Sequence, residues 1–165
     1  MKRWTLINAL LLAAGTTAHA QLRIATWNVS TYTGGRVSDM QTAVYGVFQG
    51  RSLAPDVLIG QEFTSAASVS SFLTILNTAS GSPGDWAAAP FINGNDTDNA
   101  FFYRTSKIQL LATTVISQGA SGLTNHPRDV NRYDVRPVGY SGAAATLACY
   151  SSHMKAGSTT SDQSQ

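Results

Sequence analysis

Glu62 is the sole glutamate in the chain and stands directly after a short apolar run, Val57-Leu58-Ile59-Gly60. A carboxylate at the end of a buried strand must be solvated, paired or bound to a cation, because burying it bare is very costly. Strand ends of this kind are also where α/β sheets place their ligand sites. A capping or ion-paired carboxylate is the plainer alternative. Asn28 stands at the end of another strand-like stretch, Leu22 to Val29. An amide oxygen beside a carboxylate is a hard-oxygen pair suited to Mg²⁺, which takes one or two protein ligands and keeps its waters. A turn-forming asparagine is the competing reading. His153 follows the last apolar run, in Ser-Ser-His-Met-Lys. An imidazole there can donate to a phosphate oxygen or move protons, or it can simply be structural. His126, in a loop, and His19, near the N-terminus, are weaker candidates. An amide, a carboxylate and an imidazole at one sheet edge are compatible with metal-assisted hydrolysis.

The elements that must carry these residues can be read from periodicity. Leu22 to Val29 is a first strand. Ser38 with Gln41 three residues on is a capping box, and Met40, Ala43, Val44, Val47 and Phe48 share one helix face that Gly50 would end. Val57 to Gly60 is a strand buried on both faces. A second helix runs from about Ala66 to Asn77, with Val69, Phe72, Leu73 and Leu76 on one face. This β-α-β-α order implies a layered α/β arrangement. Strands are then expected at Trp86 to Phe91, Ala100 to Arg104, Ile108 to Ile116, Arg136 to Tyr140 and Ala144 to Ser152. The tight Arg104-Thr105-Ser106-Lys107 connection suggests a hairpin. Residues 117 to 135 read as a long surface loop, and Gly157 to Gln165 as a polar tail without fold signal.

Composition sets the outer bounds. With 165 residues, the chain is long enough for one domain with a real core. Hydrophobic residues make up 43% of it, which excludes global disorder. Residues 1 to 20 read as a signal peptide: Lys2 and Arg3, a short apolar run from Leu6 to Ala14, then the small-x-small site Ala18-His19-Ala20. The apolar run is too short to span a bilayer. Export to a secreted or periplasmic location follows as an expectation, with residues 21 to 165 forming the mature domain. Losing Lys2 and Arg3 from 11 basic residues balances the chain against its 9 acidic ones. The mature chain is therefore near neutral and shows no basic run of the kind that marks tight nucleic-acid binding. Cys149 is the only cysteine, so no intrachain disulfide forms, and its apolar setting reads as a buried structural thiol.

The order of segments resembles the endonuclease/exonuclease/phosphatase family, which includes DNase I-like nucleases, inositol phosphatases and sphingomyelinases. Ile24-Ala25-Thr26-Trp27-Asn28-Val29 is similar to the family's opening strand. Pro55-Asp56-Val57-Leu58-Ile59-Gly60-Gln61-Glu62 is similar to its "PD…QE" motif. Asp98 to Arg104, Arg136-Pro137 and Ser152-His153-Met154-Lys155-Ala156-Gly157 match three later segments in the same order. The resemblance implies an α/β fold, a DNase I-like four-layer α/β sandwich with two facing mixed sheets. It implies that Asn28 and Glu62 help hold Mg²⁺, or another divalent cation such as Mn²⁺ or Ca²⁺. His153 would then contact phosphate or handle a proton, and Arg136 would be a phosphate or electrostatic contact.

The family's later "D-x-N", aspartate and "S-D-H" segments do not follow Gly157; the only later acid is Asp162. The resemblance thus covers the N-terminal part of the family domain, with the C-terminal portion missing, and implies that this 165-residue piece alone is inactive and poorly stable. The functional expectation is an exported divalent-metal-dependent phosphodiester hydrolase, with a nuclease as the first guess. A sphingomyelinase-like or other phosphatase is the alternative within the enzyme class. A non-catalytic extracellular binding module on the same scaffold is the alternative outside it.

Overall fold

A computed structural model of the chain describes residues 21–94, 96–119 and 128–154. The expected signal segment with its cleavage site, His126, Lys155 to Gly157 and Asp162 lie outside the described residues.

Among the described residues, seven strands and two helices follow in the order β1 (Ile24–Tyr32), α1 (Val37–Tyr45), β2 (Val57–Phe63), α2 (Ala66–Thr78), β3 (Trp86–Ala88), β4 (Asp98–Arg104), β5 (Ile108–Ser117), β6 (Val130–Pro137) and β7 (Leu147–Ser151). The first sheet has the order β1-β2-β4-β3 and the second β5-β6-β7. β1 and β2 are parallel, as their connection through α1 requires, whereas β4 runs antiparallel to both β2 and β3. The second sheet is antiparallel throughout its described strands, which corrects the expectation of two mixed sheets.

Period-two alternation divides the core into two layers. Leu58, Ala100 and Phe102 face the helices, while Val57, Ile59 and Phe101 face the second sheet. In the helix layer Phe72 is fully buried, and the rings of Trp27, Tyr32, Phe63 and Phe102 surround it with centroids 5.2–6.0 Å away. Between the sheets Phe101 stacks on Tyr133 at 4.4 Å, beside Ile108 and Val135. Helices, first sheet and second sheet make three layers among the described residues.

Several expectations are corrected. The Ser38–Gln41 capping box does not form; Arg36, left-handed at φ 48°, is the N-cap of α1, and no side chain caps it. The same device forms instead at α2, where the Ser65 hydroxyl accepts from the Ser68 N–H and the Ser68 hydroxyl accepts in return from the Ser65 N–H. Helix α1 stops at Tyr45, with the Gly46 N–H donating to Thr42 O at 2.8 Å. Phe48 and Arg51 then pair through their backbones and turn the chain, so Val47 and Phe48 are exposed rather than on a helix face. β3 is shorter than expected. The Arg104–Lys107 turn closes, with the Lys107 N–H on Arg104 O at 3.0 Å, but it joins strands of different sheets and is no hairpin. β6 begins at Val130, inside the expected loop, and the chain turns at Val138 and Gly139 (φ 89°) where a strand to Tyr140 was expected. A 3₁₀ turn at Ala143–Ala145 occupies the expected start of β7.

Candidate active site

Strands β1 and β2 stay in parallel register from Ile24↔Val57 to Asn28↔Gln61 and lose it immediately beyond. Both chains distort at that level. Ser30, Thr31 and Glu62 are left-handed at φ 57°, 51° and 65°. Such a backbone is costly for non-glycine residues, most of all for a β-branched threonine, and persists only where its surroundings hold it. Here the side chains of Asn28 and Glu62 do so. Asn28 Oδ1 accepts from the Ser30 N–H at 2.9 Å, and Glu62 Oε2 accepts from the Thr31 N–H at 2.8 Å and the Thr31 hydroxyl at 3.3 Å. Glu62 Oε1 accepts from Asn28 Nδ2 at 3.0 Å.

His153 reaches the same point from the second sheet, two residues beyond β7. Its Nε2 lies 3.4 Å from Asn28 Nδ2 and 3.4 Å from Glu62 Oε1. Its Nδ1 is buried without a hydrogen-bond partner. The structure thus brings Asn28, Glu62 and His153 together.

The two titrating groups are shifted in ways that suit opposite charge states. The hydrogen bond from Asn28, followed by that from the Thr31 N–H, holds the Glu62 carboxyl below its ordinary range against the opposing effect of burial. Burial, then the nearby Arg128 guanidinium, pushes the His153 imidazole below its ordinary value, with Glu62 and Asp96 acting the other way. At neutral pH the pair is therefore a carboxylate beside a mainly neutral imidazole. Their contact is a hydrogen-bond approach more than an ion pair.

Arg136 is not part of this cluster. It pairs with Gln109 near the far end of β6, whereas Asn131, five residues earlier, pairs with Ser151 at the site end. Five residues of strand separate those positions by roughly 16 Å. The arginine near His153 is Arg128, held by Asp96 at 2.7 Å. It sits in the stretch that read as a loop. Thr31 carried no sequence signal for its part in holding Glu62. Cys149 is half-buried against the inter-sheet core, with burial pushing its thiol up, which disfavours a thiolate.

Among the described residues no three His, Cys, Asp or Glu side chains converge as a metal cage. The groups at the site are one ionised carboxylate, an imidazole and the Asn28 amide, whose Nδ2 faces the other two while Oδ1 accepts from the Ser30 N–H and keeps a second lone pair for a cation. They fit a hard divalent cation completed by water and substrate oxygens, and not a closed structural ion site.

Next to the site, Asp98 is buried with Oδ1 accepting from the Gly94 N–H at 2.7 Å, while Oδ2 has no partner. Burial, then the charges of Asp129 and Asp96, pushes its carboxyl up, against the Gly94 hydrogen bond. No helix among the described residues is long and apolar enough to cross a membrane.

No protein-family model matches the chain, and no curated protein matches it by sequence. Among solved structures, it is similar to D. rerio TDP2 complexed with single strand DNA product, at 17% identity and a TM-score of 0.51, over 83% of this chain and 47% of that one. The human Nocturnin catalytic domain with bound sulfate anion aligns at 15% identity and a TM-score of 0.44, over 63% of this chain and 38% of that one. The chain spans less than half the length of either structure. The likeness to TDP2 is one of fold: the architecture is α/β and DNase I-like.

Proposed function

We propose that this site belongs to an exported, divalent-metal-dependent phosphodiester hydrolase, with nucleic acid as its first substrate class. The observation that carries the reading is the convergence of Asn28 on β1, Glu62 on β2 and His153 just beyond β7 of the second sheet, within 3.0–3.4 Å of one another. A structural carboxylate needs no such company. The fold likeness to a protein complexed with a single strand DNA product is consistent with nucleic acid as the substrate class. Residues 1–20, with their positive start, apolar run and small-x-small site, support export to a secreted or periplasmic location.

In this reading Glu62 and Asn28 hold Mg²⁺, with Mn²⁺ or Ca²⁺ as alternatives. When bound, the ion supplies Lewis-acid stabilisation of the charge that develops on the phosphoryl oxygens. Thr31 fixes one Glu62 oxygen through its N–H and hydroxyl, so the carboxylate is oriented before substrate arrives. Asn28 ties Glu62 to His153 through its amide. His153, neutral at working pH, donates or takes a proton at Nε2 on the substrate side of the site. Arg128 adds positive potential beside His153, which attracts an anionic substrate.

The test compares the natural gene product with its Glu62→Ala variant. Substrates are single-stranded DNA, RNA, bis-p-nitrophenyl phosphate and sphingomyelin, each assayed with Mg²⁺ and with a chelator. The reading expects chelator-sensitive cleavage, fastest on a nucleic acid and lowered by orders of magnitude in the variant. Wild-type rates in the variant, or turnover indifferent to the chelator, would refute it.

A further inference from the structure

The two halves of the site ride on different sheets. The interface between those sheets is mainly apolar, built from Val57, Ile59, Phe101, Ile108, Tyr133 and Val135. Apolar contact is non-directional and fixes relative position only through packing. One polar chain interrupts it. Ser151, 1% exposed, donates its hydroxyl to Asn99 Oδ1 at 2.8 Å and accepts from Gln61 Nε2 at 3.4 Å. Asn99, 3% exposed, donates from Nδ2 to Asp129 O at 2.8 Å. Gln61 also donates to Thr26 Oγ1 at 3.0 Å.

The positions of these residues matter more than their number. Ser151 precedes His153 by two residues, and Gln61 immediately precedes Glu62. Thr26 lies two residues before Asn28 on the same strand. Each group that reaches the site is therefore preceded, one or two residues back, by a member of one hydrogen-bonded chain crossing β1, β2, β4 and β7, buried at Gln61, Asn99 and Ser151 and exposed at Thr26. His153 has few direct restraints of its own: its Nδ1 is unpartnered, and its Nε2 contacts are 3.4 Å long. Buried polar groups cost free energy unless satisfied, and a satisfied buried network specifies one arrangement of the elements it joins.

We propose that Ser151, with Gln61 and Asn99, is a positioning device that sets His153 of the second sheet against Asn28 and Glu62 of the first. The hydroxyl touches no substrate. It acts by fixing how far β7 reaches over β2 and in which direction its end points.

The experiment uses the natural gene product and three variants, Ser151→Ala, Ser151→Cys and Ser151→Thr. Its structural arm reads the nuclear Overhauser effect between the His153 ring protons and the Asn28 side-chain amide. Its kinetic arm, which rests on the hydrolase reading, measures kcat and KM separately. The expected result is loss of the effect in Ser151→Ala and in Ser151→Cys, whose thiol is a weak hydrogen bonder, and its return in Ser151→Thr. In the kinetic arm, kcat falls on the order of 10²-fold in Ser151→Ala with KM little changed, since small misplacement of a reacting group is enough for such a loss.

A retained Overhauser effect in folded Ser151→Ala and Ser151→Cys proteins would overturn the proposal. So would unfolding of both variants, because the hydroxyl would then hold the fold and not the site. A wild-type protein that shows the effect but no turnover would refute the hydrolase reading and leave the positioning device standing.

Discussion

Asn28 and His153 are separated by 125 residues of sequence, yet the amide nitrogen of one lies 3.4 Å from the ring nitrogen of the other, and both meet Glu62 Oε1. Two sheets must be docked in a fixed way for this to occur. The apolar layer between them supplies the attraction, and the buried polar chain through Ser151 supplies direction. The arrangement at this edge is therefore a property of how the sheets dock, and changes far from the three side chains should be felt there.

Gly60 gives the clearest case of such a distant effect. A Cβ at this position would run into the ring of Phe63, which folds back along β2 because the strand distorts at Glu62. Gly60→Ala is expected to lower stability by about 1–3 kcal/mol, the usual cost of overpacking a filled core. It should also weaken cation binding at Glu62. Denaturant unfolding and a Mn²⁺ titration on the same sample check both; an unchanged midpoint with unchanged affinity would contradict this.

Arg136 and Arg128 should behave oppositely. Arg136→Ala is expected to leave kcat/KM within about twofold, since the residue sits roughly 16 Å along β6 from the site end. Arg128→Ala removes a charge beside His153 and should raise KM for an anionic substrate several-fold, while flattening the dependence of kcat/KM on salt. Steady-state kinetics at two ionic strengths distinguish them. A large loss in Arg136→Ala would show that the far end of β6 matters to catalysis after all.

Asp98 carries a pH dependence of known sign. Its carboxyl is pushed up from the ordinary value by burial and by Asp129 and Asp96. The folded state therefore holds the proton more tightly than the unfolded one. Its favourable contribution is fully present below the ordinary pKa of 3.8 and is lost as pH rises through the higher folded value. Asp98→Asn keeps an oxygen for the Gly94 N–H and removes the buried charge. It is expected to stabilise the protein at pH 7 by roughly 1 kcal/mol, the lower end of the cost of an unsatisfied buried group. The gain should vanish in acid. Thermal melts at pH 7 and near pH 3 test this, and a variant less stable at pH 7 would contradict it.

The sequence carried much of this site and less of the scaffold. Asn28 and Glu62 were legible because each ends an apolar run, and His153 because it follows one. β6 was hidden because its inward positions are Asn131, Tyr133 and Val135, with Asn131 buried as a polar residue. Its outward positions include Arg132 and Asp134, so the stretch reads as loop composition. Helix α1 was overextended because Val47 and Phe48 fall in phase with Met40 and Val44, and periodicity alone does not register the backbone pairing of Phe48 with Arg51. The Arg104–Lys107 turn was read correctly as a turn, but a tight turn does not reveal whether the chain stays in its sheet. Arg136 was chosen by resemblance of an Arg-Pro pair, and strand register puts it at the wrong end.

The decisive measurement is a Mn²⁺ titration of the isotopically labelled natural gene product, read as paramagnetic broadening residue by residue. The expected result is that Asn28, Glu62 and His153 signals broaden first, recover when excess Mg²⁺ is added, and stay sharp in Glu62→Gln. Broadening centred away from this edge, such as at Arg136 near the far end of β6, or a Glu62→Gln protein that broadens like the wild type, would contradict the assignment of this site as a divalent-cation centre.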